Sequence, residues 1–289
     1  MRLDAGTVLL QWATGGLFFL WVTSRRREVG LGYGWLLRGV YLALAAIAAI
    51  VLATSHTGGA GAVVRTVGAI ATSAAAAIAL VVSITRRRAG VGGQRARRAA
   101  RAEQVAAMAG RSVPETEAEP AEGVREFPPA LDLLAVAGGL AGLLGASAAV
   151  GGPYALSATR LVIGALFLGA LTDAMLLGHW YLVQPGLARG PLRQMVVLAA
   201  VIWPFELVAF LWPVGVAQVL DATIDDGFGG LLGWTWVVCA VTTIALLGVT
   251  WLALRERYYS AVMAATGLLY LAILTGFGMD LIARAVLTP

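Results

Sequence analysis

Eight separate runs of roughly 20 apolar residues divide this chain, and each is long enough to cross a bilayer as a helix. In hydrocarbon the backbone must satisfy its own hydrogen bonds, which leaves helices and closed barrels as spanning structures. Unbroken apolar runs of this length, without alternation of polar residues, select the helix. The expected fold is therefore all-α: a polytopic transmembrane bundle. The spans are placed at about 6–23, 34–54, 62–85, 130–150, 159–183, 195–220, 231–254 and 261–287. Composition agrees, since 59% of the 289 residues are hydrophobic and only 13% charged.

Charge placement orients the spans. Arg25–Arg27, Arg86–Arg88, Arg189 with Arg193, and Arg255 with Arg257 follow spans one, three, five and seven. The intervening loops are poor in Arg, and the one after span six carries Asp221, Asp225 and Asp226. The positive-inside rule then puts every odd span's end in the cytoplasm and both termini outside. The first run ends in Ser-Arg-Arg-Arg with no small-residue cleavage site, so it reads as a retained helix and not a signal peptide. All 21 basic residues are Arg, the codon signature of a GC-rich genome. The expected location is the inner (cytoplasmic) membrane of a bacterial-type cell. Because the arginines sit at span ends, the basic pI of 9.9 points to lipid headgroups and away from nucleic acid. Without Lys there is no Schiff-base chemistry, and the single Cys239, in an apolar run, excludes an internal disulfide.

Residues 1–85 hold spans one to three, and 130–289 hold spans four to eight. Between them, 86–129 is a polar cytoplasmic linker. Its first half is Arg-rich, as in an interfacial helix, and its acidic, Pro-rich second half has a disordered composition. RRREVGLGYGWLLRGVYLALAA after span one resembles HWYLVQPGLARGPLRQMVVLAA after span five, which suggests a parallel repeat of four spans. Gly138 and Gly142, and the run Ala74–Ala77, are small residues of the kind that let membrane helices approach closely.

Ionisable residues at membrane depth are functional candidates. Asp173 lies roughly 15 Å from the inner end of span five, and Glu206 roughly 16 Å from that of span six, at 1.5 Å per residue. Two acids at one depth on neighbouring helices could not both ionise cheaply, which is the basis of a proton relay. His179 is the third relay candidate, although at six residues from Asp173 it shares no helix face with it. Trp180, at i+7 from Asp173, and Trp203 and Phe210, at i−3 and i+4 from Glu206, are candidate site walls. Pro204 and Pro213 bracket that part of span six. Asp132 reads as a helix cap and Arg38 as a snorkelling side chain. Asp280 and Arg284 form an i,i+4 pair, and Arg160 is placed to meet Asp221, Asp225 or Asp226. His56 and His179 fall on opposite sides of the membrane and cannot share a haem. No nucleotide-binding or hydrolase motif is present, and no metal site is expected.

Eight spans, termini outside and this length resemble the eight-helix quinol-interacting membrane-anchor subunits of the polysulfide-reductase and dimethyl-sulfoxide-reductase type. The resemblance is one of topology over the whole chain. It implies a quinone as the cofactor, none being bound covalently, and other subunits of a membrane complex as partners beside the lipid bilayer. It also implies His56, past the outer end of span two, as the outer quinol-site residue. The alternatives are a proton-coupled transporter of a small solute and a non-catalytic assembly or scaffold protein.

Overall fold

The computed structural model describes residues 4–55, 58–89, 91, 99–100, 126–149, 152–184, 187–212, 214–221, 227–256 and 258–286. Among these there is no strand. Eight helices are long and apolar enough to span a membrane: α1 (Ala5–Ser24), α2 (Leu31–Thr54), α3 (Ala60–Thr85), α4 (Asp132–Ala149), α5 (Tyr154–Val183), α6 (Gly190–Leu211), α7 (Leu231–Ala253) and α8 (Tyr259–Val286). A short helix, Val216–Leu220, precedes α7.

Helices α5 and α6 each begin five residues ahead of their apolar runs, and α6 ends nine residues early. Helix α6 begins at Gly190, because Pro191 suits a first helical turn and Arg193 and Gln194 belong to that turn despite their polarity. It ends at Leu211. Trp212 precedes a proline in the sequence and adopts the extended backbone that such residues prefer (φ −87°, ψ 123°). The run to Leu220 is thus two elements, separated at Gly215 with its φ of +80°.

The helices form two rings of four with the same order of neighbours. In the first, α1 packs on α2, α2 on α3, α3 on α4 and α4 on α1; in the second, α5, α6, α7 and α8 close in the same way. The rings meet chiefly where α1 packs on α5. That crossing depends on glycine: a Cβ on Gly15 would stand 1.7 Å from the Ala165 carbonyl oxygen, and one on Gly169 would stand 2.2 Å from the Gly15 carbonyl carbon. The described ends of the long polar segment fall inside the first ring, between α3 and α4.

Gly138 and Gly142 do lie in a tight contact, between α3 and α4. A Cβ on Gly68 would be 2.4 Å from the Gly142 Cα. Their α3 partners are Arg65, Gly68, Ala71 and Thr72; of the Ala74–Ala77 run, only Ala76 is fully buried. Cys239 packs on Gly278 of α8.

Candidate functional site

Arg160 organises the start of the site. It lies nearly two turns into α5, and its guanidinium turns to the end of α6. Its Nε donates to the Ala209 carbonyl (2.9 Å) and its Nη2 to that of Trp212 (2.6 Å). Helix C-termini carry unpaired carbonyls and partial negative charge, and a buried guanidinium answers both. Arg160 was expected to meet an acid of the loop after span six. Asp221 is instead exposed at the end of the short helix, and Asp225 and Asp226 lie outside the described residues.

Next to Arg160, α8 presents Asp280 and Arg284. They form the expected i,i+4 pair: Arg284 donates Nε to Asp280 Oδ2 and Nη2 to Oδ1, both at 2.8 Å, with both residues buried. Glu206 of α6 is fully buried against this pair, in hydrogen-bond reach of the Asp280 carboxyl and in coulombic range of Arg284. Neither Glu206 oxygen has a hydrogen-bond donor. Phe210 packs beside the cluster, with the guanidinium carbons of Arg284 and Arg160 at 5.6 and 5.8 Å from its ring centroid.

The first ring contributes Gln11 of α1. Its amide is fully buried, and both Oε1 and Nε2 lack a partner. The amide lies over Gly164, where a Cβ would stand 2.1 Å from Gln11 Nε2, 2.9 Å from Arg284 Nη2 and 3.0 Å from Asp280 Oδ1. Gly164 is therefore the point at which α1, α5 and α8 bring their polar groups together, at the junction of the two rings. Buried polar groups are nearly always paired, so the unpartnered atoms on both Gln11 and Glu206 set this junction apart. A single proton between Glu206 and Asp280 would supply the missing donor.

Asp173 stands apart from this cluster. It is fully buried and accepts a short hydrogen bond at Oδ1 from the Tyr41 hydroxyl of α2. Its Oδ2 has no partner, and Tyr33 lies within coulombic range. Tyr33 also lines a cavity of about 40 Å³ at the Arg-rich end of the first ring, with Arg27, Arg38, Glu126 and Phe127. The depth expected to be common to the two acids is not common. Counted from Gly190, Glu206 is roughly 24 Å into α6, whereas Asp173 stays roughly 15 Å from the end of α5. Asp173 turns to α2 and Glu206 to α8.

The remaining candidates separate as well. His179 is exposed near the end of α5, with Nδ1 3.4 Å from the Tyr270 hydroxyl. Trp180 packs on Tyr33, ring centroids 6.0 Å apart, and donates Nε1 to Gln184. Tyr33, not Trp180, is the one of the two within coulombic range of Asp173. Trp203 turns to α7 and donates Nε1 to the Ala240 carbonyl (3.1 Å). His56 and Pro213 lie outside the described residues.

Asp132 and Arg38 correct their assigned roles. The Asp132 carboxylate does not cap α4, and Arg38 does not snorkel. Arg38 donates Nε and Nη2 to the two Asp132 oxygens, each at 2.7 Å, and lies 4.1 Å over the Phe127 ring centroid. Both are buried, at 2% and 0% exposure. Gln11, Asp280 and Arg284 are the site residues that sequence patterning did not bring to Glu206. An uncharged amide in an apolar run was the one available signal for Gln11. Comparison with protein-family models, characterised proteins and solved structures finds no match.

Proposed function

We propose that this is a multi-pass membrane protein, both termini outside, that couples proton binding to passage of a small solute. The acting groups are Glu206, Asp280 and Arg284, with Gln11 completing the site from the other ring. Glu206 and Asp280 share one proton, Arg284 balances the remaining charge, and Gly164, having no side chain, lets Gln11, Arg284 and Asp280 approach one another. Asp173 with Tyr41 and Tyr33 forms a second proton station nearer the cytoplasmic end. Gly164 to Asp173 is roughly 14 Å along α5.

The observation that carries this reading is the location of a buried, incompletely hydrogen-bonded acid cluster where two like-ordered four-helix rings meet. Transporters built from repeats place their sites at the repeat interface, and this cluster lies at that interface toward the outer ends of the helices, Glu206 about 8 Å from the end of α6. Intramembrane acids at such positions serve as proton relays. The quinone expectation depended on overall topology and on His56, and the cluster around Glu206 favours proton coupling over electron transfer.

The test is reconstitution into liposomes holding a pH-sensitive dye, followed by a panel of small polar solutes. One solute class should drive proton movement in the wild type and fail to do so in Glu206→Gln. Solute-independent dye traces across the panel would overturn the reading.

A further inference from the structure

A groove of about 370 Å³ runs along the flank of the second ring between α6 and α7. Val197, Ala200, Val201, Ile244, Gly248 and Trp251 are among its lining residues, all apolar. Gly248 deepens it, since a Cβ there would meet nothing within 4 Å. One end of the groove is basic from both walls. Arg193 precedes Val197 by one turn of α6 and is exposed. Arg255 follows Trp251 by one turn, is exposed, and holds its guanidinium 4.8 Å from the Trp251 ring centroid. Arg189 fixes the walls at this end by donating to the backbone carbonyls of Glu256 and Tyr258, so the start of α6 is tied to the α7–α8 loop. The exposed Glu256 side chain is the one acid beside this basic end among the described residues.

We infer that this groove binds one anionic phospholipid, an acyl chain lying between α6 and α7 and the phosphate held between Arg193 and Arg255. Juxtamembrane arginines attract anionic headgroups. An apolar slot ending in two guanidiniums matches a molecule with an apolar tail and an anionic head, and the headgroup then meets the membrane surface at the Arg-rich loops. The inference rests on the membrane-spanning reading and is independent of proton coupling, so either can fail without the other.

Native mass spectrometry of the purified protein, with phosphatidylglycerol or phosphatidylcholine of matched chains, tests this. The wild type should retain one phosphatidylglycerol with a preference of about tenfold or more, the scale expected for two arginines near a headgroup. Arg193→Gln with Arg255→Gln should abolish the preference. Gly248→Leu, and independently Ala200→Leu, should release the lipid while leaving both arginines in place. Equal retention of the two lipids would overturn the assignment. So would undiminished retention by both groove-filling variants, or displacement of the lipid by a menaquinone at equal concentration.

Discussion

The Glu206 carboxyl lies against that of Asp280, from α6 to α8, while the Nε and Nη2 of Arg284 are given to Asp280. Glu206 is left without a donor in a fully buried position. This asymmetry distinguishes the two acids: Asp280 is the anchored partner and Glu206 the one whose state can change. Asp280→Asn should accordingly damage the fold as well as function, by removing the carboxylate to which both Arg284 N–H groups are given. Losing one partner of a buried ion pair costs about 3–5 kcal/mol. Glu206→Gln should cost far less stability while abolishing proton movement. Unfolding in mixed micelles, alongside the liposome assay, separates the two variants.

Gly164→Ala tests the junction sterically without altering charge. The added methyl would stand 2.1 Å from Gln11 Nε2, the far end of a flexible side chain, so Gln11 moves and the helices remain in place. Proton coupling should fall at least about tenfold, the scale on which small displacements act on positioned groups. The midpoint of thermal unfolding should change little.

Gly15→Val is the structural counterpart. Its Cβ would fall 1.7 Å from a backbone oxygen, which cannot turn aside, so α1 and α5 must separate. Destabilisation of more than about 3 kcal/mol is expected, above the usual range of about 1–3 kcal/mol for overpacking by extra methylenes. Gly39→Ala, where a Cβ meets nothing within 4 Å, should be neutral or stabilising by roughly 0.5–1 kcal/mol. Chemical denaturation of the two variants checks the contrast.

For Arg38 and Asp132, each single apolar replacement should cost about 3–5 kcal/mol, and Arg38→Met with Asp132→Leu should recover most of it. A double-mutant cycle on unfolding free energy reads this directly.

Local rules made much of this molecule legible. The eight spans follow from apolar length alone. The Asp280–Arg284 pair follows from helical spacing, and the Gly138–Gly142 contact from small-residue spacing. Failures came where a polar group found its partner on a distant segment. Arg38 and Asp132 have separate local explanations, snorkelling and capping, and only the packing of α2 beside α4 joins them. Consecutive helices suggest Asp173 as the partner of Glu206. Yet α6 starts five residues before its apolar run, and its Glu206 face turns to α8. Gln11 carries no charge, and only the packing of α1 on α5 brings its amide to Gly164.

The central claim is a proton shared between Glu206 and Asp280, and infrared spectroscopy of the reconstituted protein at neutral pH measures it most directly. The account predicts a protonated-carboxyl C=O band that disappears in Glu206→Gln and shifts when Gly164→Ala displaces Gln11. A wild-type spectrum whose carboxyl bands are unchanged by Glu206→Gln would contradict it.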